Sequence, residues 1–203
     1  MDHLVESRTV LTERKIISEF PLAFDCGPDV KSNFSFFRSI AKSILELYPE
    51  ILPYIHVKLE NAFEKNFLKL TEKQRLPLQK SLDYLKSGNY SGFDFTGLGA
   101  CLLIITASWV VENENIFDGD VKDAILSAAP RNFGDGFVPC VSWFFLEKHQ
   151  HTSYTHLIAA SRALGLRFKI FKQSNGGDLE NLSYNNTVAI PEVCFFVSLS
   201  FGV

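Results

Sequence analysis

The sequence predicts an α+β fold in which a small β-sheet packs against a larger helical lobe. Three observations indicate this class. Apolar residues recur at helical spacing through the first three quarters of the chain, strand-like alternation is confined to the last quarter, and turn residues separate the segments. The 203 residues, 46% of them hydrophobic, suffice for one substantial core. We therefore expect a single domain over residues 25–203, preceded by an N-terminal arm or helix over residues 1–24.

The helices are predicted from apolar stripes with steps of three and four residues. The first covers residues 36–48 and ends before Pro49. A second covers 51–70, and a third runs over 71–86 between a Thr71 cap and a Gly88 stop. Further helices are predicted over these ranges: 96–111, 118–128 and 154–164. Residues 9–19 suit a short helix or an arm.

The strands are predicted near the C-terminus. Residues 166–172 alternate Leu, Phe and Ile with Arg and Lys, which is typical of a strand. A second strand is suggested over 187–190, and residues 193–199 form a nearly continuous apolar run of strand length. The strands of the sheet are thus expected to come from the C-terminal quarter of the chain.

The charge and hydropathy of the sequence argue against two classes of binding partner, nucleic acids and membranes. The net charge is −3, the pI is near 6.0, and no run of Lys and Arg suggests a phosphate-binding surface, which argues against nucleic acid. The apolar run at 97–111 is shorter than the roughly 20 residues of a membrane span, so it predicts a buried helix and no membrane partner. The N-terminus lacks the pattern of a secretion signal. We expect a cytoplasmic or nuclear protein whose four dispersed cysteines (Cys26, Cys101, Cys140, Cys194) are buried thiols.

The segment 25–40 has the form of a nucleophile site. A polar, turn-rich loop leads into an amphipathic helix, and Ser35 stands at the junction. Backbone N–H groups at a helix N-terminus stabilise an anionic nucleophile and the oxyanion it generates. Ser35 is therefore the candidate nucleophile. The alternative is that its hydroxyl caps the helix that follows.

Four segments together resemble one known family. They are Ser35-Phe36-Phe37-Arg38-Ser39-Ile40, the apolar helix at 102–109 with residues 112–117 after it, the helix Thr155–Gly165 with its following strand, and Pro191–Val197. In this order they resemble the otubains, members of the ovarian-tumour (OTU) family of cysteine deubiquitinases. The resemblance implies an OTU or papain-like cysteine protease fold.

The resemblance also implies that catalysis has been lost. Ser35 stands where the family has its nucleophilic Cys, Phe201 where it has the His base, and Val203 where it has the orienting acid. Ser32-Asn33-Phe34 replaces the family's Asp-Gly-Asn loop. We therefore expect a pseudoenzyme with no catalytic residues, no cofactor and no metal. It would act as an interaction or scaffold subunit for ubiquitin, a ubiquitin-conjugating enzyme or other subunits of a complex.

Two other functions remain open from the sequence. One is an active ubiquitin-specific hydrolase in which another histidine serves as the base for Ser35 or Cys26; the candidates are His3, His56, His149, His151 and His156. The other is a structural complex subunit that does not bind ubiquitin.

Two further clusters were weighed as metal sites. The first combines His149, His151 and His156 with Cys140 or Glu147, but a solvated loop plus one core histidine explains it better. The second, an acidic group at Asp118, Asp120 and Asp123, is better explained by helix capping than by calcium binding.

Overall fold

Helix α4 (Phe95–Glu112) lies at the centre of the structure, a computed structural model that describes residues 10–11, 24–25, 33–90, 93–116, 119–130, 136–146, 154–173, 179–181 and 192–196. Six other α-helices are present in these ranges: α1 (Asn33–Leu47), α2 (Leu52–Lys65), α3 (Glu72–Ser87), α5 (Gly119–Ala128), α6 (Phe137–Leu146) and α7 (Tyr154–Leu164). Short 3-10 turns occur at Pro49–Ile51 and Glu114–Ile116.

Helix α4 is apolar on nearly every side because other helices surround it. It contacts α1, α2, α3, α6 and α7, and eleven of its 18 residues are buried. By length and composition α4 is also the helix, among the described residues, that could cross a membrane. Its burial among five neighbours is the expected environment of a core helix.

Helices α1 and α4 approach each other closely at Gly99. A Cβ atom at this position would lie 3.1 Å from both Cα and N of Arg38. Because a contact this tight would require the backbone of α1 to shift by a few tenths of an ångström, glycine at position 99 favours the close approach. Helix α1 itself confirms the predicted helix at 36–48, although it begins earlier, at Asn33.

Residues at the helix ends determine where α2 and α3 begin and end. Helix α2 has a proline in its first turn and ends at Asn66, which adopts φ 45° and donates its N–H to the carbonyl of Ala62. The predicted extension of this helix to residue 70 is therefore wrong. Helix α3 has the predicted Thr71 cap and Gly88 stop, with a capping box in which Gln74 accepts a hydrogen bond from the Thr71 N–H at 2.9 Å.

Two of the remaining helices match the sequence-based expectation and one does not. Helices α5 and α7 confirm the predictions for 118–128 and 154–164. Gly165 ends α7 with φ 65°, and Leu166 donates its N–H back to the carbonyl of Ser161 at 3.1 Å. Helix α6 was not predicted.

The strands form a backbone ladder at the edge of the helical array. They are β1 (Val10–Leu11), β2 (Phe24–Asp25), β3 (Arg167–Gln173), β4 (Leu179–Asn181) and β5 (Glu192–Phe196), in the order β1-β4-β3-β5-β2. Strands β3 and β5 are parallel, with Arg167 opposite Glu192, and β4 pairs antiparallel with β3. The predicted strand at 187–190 and most of the predicted arm at 1–24 lie outside the described residues.

The predicted α+β class, with a sheet packed against a helical lobe as in OTU and papain-like proteases, is wrong. The described part of the chain is mainly helical, and the described core consists of helices packed on helices. The strands are two to seven residues long. The apolar runs near the C-terminus indicate strands, but they do not indicate whether helices or strands form the core. The predicted fold class was wrong for that reason.

Candidate functional site

The candidate nucleophile Ser35 is the third residue of α1. The next two residues, Phe36 and Phe37, are 2% and 0% exposed, and their rings meet edge to face at 5.2 Å between centroids. These rings anchor the first turn of α1 in the core. Because α1 begins two residues earlier, Ser35 lies within its first turn rather than before it. The position of the Ser35 side chain lies outside the described part.

The predicted loop before the nucleophile is shorter than expected. Asn33 is the first residue of α1, and Phe34 is the second. Ser32 and the alternative nucleophile Cys26 lie outside the described residues. The chain therefore reaches the helix within the segment that was expected to shape an oxyanion site.

Phe201 and Val203, the other two positions of the vestigial triad, also lie outside the described residues. The backbone before them is described: β5 runs parallel to β2, with Asp25 opposite Phe196. Parallel neighbours end at the same edge of a sheet. The C-terminal ends of β2 and β5 therefore lie at the same edge of the ladder, and α1 contacts both strands.

His156, one of the candidate bases, is a core residue. It is 0% exposed, stacks on Phe144 with ring centroids 4.3 Å apart, and meets the Phe145 ring edge-on at 5.0 Å. Its Nε2–H donates to the Phe144 carbonyl oxygen at 3.2 Å. Burial lowers the pKa of His156 to about 4, although the hydrogen bond opposes this shift. The interpretation of His156 as a core histidine is confirmed.

His56, on α2, faces a carboxylate. Its Nε2 lies 3.5 Å from Oε1 of Glu60, a distance too long for a strong hydrogen bond. Glu60 in turn pairs with Lys86 of α3 at 2.7 Å. The Lys86 ammonium lowers the pKa of the Glu60 carboxyl, and Glu60 raises the pKa of Lys86. This partly exposed network, in which the His56 Nε2 atom itself is buried, joins two helices and contains no serine or cysteine. His3, His149 and His151 lie outside the described residues.

The two cysteines with described side chains are buried. Cys101 and Cys140 are both free thiols. Burial raises the pKa of Cys101 to about 12, partly offset by a hydrogen bond with Ser81. At neutral pH Cys101 is therefore a protonated thiol, which is a poor nucleophile.

Neither predicted metal cluster is assembled by the described residues. These contain no group of three or more His, Cys, Asp and Glu side chains suited to a metal ion. In the first cluster Glu147, His149 and His151 lie outside the described part. In the second, the same is true of Asp118 and of the Asp120 side chain, while Asp123 is an exposed residue of α5.

Exposed apolar side chains on α2 and α3 were missed by the sequence reading. Tyr54 and Val57 on α2 are 50% and 52% exposed, and Leu76 and Tyr84 on α3 are 60% and 51% exposed. Arg75 of α3 lies over the Phe63 ring and Lys86 of α3 pairs with Glu60, so α2 and α3 are packed neighbours. We call these four residues the α2–α3 surface. Spacing of eight residues between Leu76 and Tyr84 was the available sequence signal.

No known family model matches this sequence, and no curated protein is significantly similar to it.

Proposed function

We propose that this chain is a non-enzymatic, protein-binding subunit. The observation that carries the proposal is the identity of the residues at the three positions aligned with the otubain triad: Ser35, Phe201 and Val203. Phenylalanine offers no proton acceptor and valine no hydrogen-bonding group, so neither can activate a serine hydroxyl. The proposal rests on this sequence resemblance and does not require a papain-like architecture.

The chemistry of the described side chains supports binding over catalysis. A general base must reach the proton it removes and titrate near the working pH. His156 is enclosed between phenylalanine rings with a pKa near 4, and His56 faces Glu60. Cys101 has a pKa of about 12. Among the described residues, these groups do not form a nucleophile and base pair.

The α2–α3 surface supports a role in protein recognition. Two tyrosines and two aliphatic side chains, all at least half exposed, lie on neighbouring helices. Tyrosine is enriched at protein interfaces because its ring buries a large area while its hydroxyl keeps a polar contact. The partners we propose are ubiquitin, a ubiquitin-conjugating enzyme or another subunit of a complex.

Catalysis is tested with all eight diubiquitin linkages and a ubiquitin activity probe. We expect no cleavage and no probe adduct from the wild-type protein. Robust cleavage that disappears in Ser35→Ala but persists in Ser39→Ala, one helical turn further along α1, would identify an active hydrolase and refute the proposal.

Ubiquitin binding is tested by titrating the protein into ¹⁵N-labelled ubiquitin and recording chemical shifts. Saturable shifts that weaken in Leu76→Ser identify the α2–α3 surface as the contact. Leu126→Ser is the matched control, since Leu126 on α5 is also exposed (39%) but lies outside this surface. Unchanged shifts at millimolar concentration would favour a structural subunit without ubiquitin contact.

A further inference from the structure

A small cavity lies between α2 and α4, away from the positions aligned with the triad. Its volume is about 100 Å³. Lys58, Asn61 and Lys65 line it from α2, and Ser108, Trp109 and Glu112 line it from α4. The three α2 residues and the three α4 residues each recur at steps of one turn or less, so each helix presents a single face to the cavity.

Ser108 provides a hydroxyl group in the lining of this cavity. The residue is 5% exposed, and within the described part its hydroxyl has no hydrogen-bond partner. By contrast, the hydroxyl of Thr106, which is buried on the same helix, donates to the Leu102 carbonyl at 2.8 Å. The Ser108 Oγ atom is not among the fully buried polar atoms that lack a partner in the described part of the chain, so it opens into the cavity. The Ser108 hydroxyl is therefore available to a ligand that can accept or donate a hydrogen bond.

The charges around the cavity select the sign of that ligand. Lys65 forms an ion pair with Glu112, which neutralises both groups. Lys58 adds a second ammonium, 4.7 Å from the centroid of the Tyr54 ring. Two positive groups against one negative group leave a net charge of +1 on the lining. An anion is attracted to this site, whereas an alkylammonium ion is repelled.

The volume of the cavity and its apolar walls limit the shape of the ligand. The volume of about 100 Å³ is the space open to the centres of water-sized molecules, so the cavity holds several waters or one small organic ion. Ile105, which is 4% exposed, and the partly buried Trp109 supply apolar walls. A carboxylate on a stem of one or two carbons fits this volume, with its stem against the walls and its oxygens towards Ser108 and Lys58.

We propose that the cavity between α2 and α4 binds a short alkyl carboxylate. A free carboxylic acid and the side chain of a partner's Glu or Asp present the same chemistry. The site does not depend on the function proposed above, because it would exist in a protein with or without a ubiquitin partner.

The test uses ¹⁵N-labelled full-length protein titrated with propionate, and with ethylammonium at equal ionic strength. We expect saturable shifts of the Trp109 indole N–H with propionate, with Kd on the order of 1–10 mM for so small a ligand. Trp143→Phe assigns the indole signal. Ethylammonium is expected to cause no saturable shift. Equal responses to both ions would overturn the proposal. So would the absence of any response to propionate at about 50 mM, a concentration well above the expected Kd.

Variants separate the site from general charge effects. Lys58→Gln is expected to weaken propionate binding about tenfold and Ser108→Ala about threefold. Lys73→Gln removes the same charge from exposed α3 and is expected to leave Kd unchanged. If Lys73→Gln weakens binding as much as Lys58→Gln does, the effect is that of overall charge and the site is refuted.

The source of the carboxylate is distinguished by two capped tripeptides, Gly-Glu-Gly and Gly-Gln-Gly. Saturable shifts with the glutamate peptide alone support the site and show that a protein side chain can enter it. Binding of propionate without either peptide also supports the site and assigns it to a free acid. Equal shifts with both peptides would contradict carboxylate recognition.

Discussion

Helices α1 and α4 pack by close backbone approach, whereas α6 and α7 are joined by aromatic rings stacked around a histidine. At the first contact a Cβ on Gly99 would come within 3.1 Å of the Arg38 backbone. At the second, the His156 ring lies 4.3 Å from Phe144. The first contact is sensitive to the volume of one atom and indifferent to pH. The second accepts a ring of similar size but depends on the histidine remaining neutral.

The largest expected effect comes from acidification of the α6–α7 contact. The pKa of His156 is about 4 in the folded protein, against an ordinary value of 6.5. The unfolded chain therefore takes up a proton at this site between pH 6.5 and 4, while the folded protein does not. Stability from this site is complete above pH 6.5, falls as pH decreases to 4, and then levels off. The total loss is roughly 3 kcal/mol, at about 1.4 kcal/mol per pKa unit.

This loss is measured by urea denaturation at pH 7.5, 5.5 and 4.0 for wild type and His156→Phe. The variant keeps a ring between Phe144 and Phe145 but has no titrating group. We expect it to be less stable by about 1 kcal/mol at pH 7.5, because the hydrogen bond to the Phe144 carbonyl is lost. Its pH dependence should be shallower than that of wild type. Identical pH dependences for both proteins would contradict the assignment.

The next effect concerns the α1–α4 contact. Gly99→Ala places a methyl group against the backbone of Arg38 and Phe37, which cannot move without shifting α1. We expect destabilisation of about 2 kcal/mol at every pH, within the range for overpacked cores. Gly119→Ala is the matched control, since its Cβ would meet nothing closer than 3.8 Å. A loss of stability as large in the control as in Gly99→Ala would show that close approach is not the cause.

The smallest change in stability is expected at the exposed N-terminus of α3, which involves neither close backbone packing nor a buried aromatic cluster. Gln74→Ala removes the side chain that accepts hydrogen bonds from the Thr71 N–H and hydroxyl. The expected cost is about 0.5–1 kcal/mol by urea denaturation. Gln79→Ala, which breaks a hydrogen bond to Asp83 in the middle of the same helix, should cost only about 0.2–0.5 kcal/mol. The reverse order would indicate that the cap contributes little here.

Local signals allowed several elements to be predicted from the sequence. Thr71 and Gly88 bound α3 because a hydroxyl cap and a left-handed glycine act within one turn. Gly165 ends α7 for the same reason. Helix α2 was predicted too long because Phe67 and Leu70 continue its apolar stripe beyond Asn66, where the backbone turns left-handed. A stripe indicates burial, and these two residues remain partly buried without being helical.

The elements that were missed depend on packing. Helix α6 contains Val138, Pro139 and two adjacent phenylalanines, and its apolar residues surround the helix rather than form a stripe. Pro77 was also no obstacle to α3, although it lacks the N–H that would bond to Lys73. The cavity between α2 and α4 could not be predicted, because Lys58 and Ser108 are 50 positions apart in the sequence. Only the packing of the two helices brings them together.

The central position of α4 has a consequence for synthesis of the chain. Helices α1 to α3 precede it and can cover part of its surface as it leaves the ribosome, but α6 and α7 are made later. Until they arrive, a helix apolar enough to resemble a membrane segment remains partly uncovered. Exposed apolar surface of this kind promotes aggregation and attracts chaperones. A nascent chain that has emerged from the ribosome only as far as residues 112–137 would therefore need a chaperone, whereas one that has emerged past residue 164 would not.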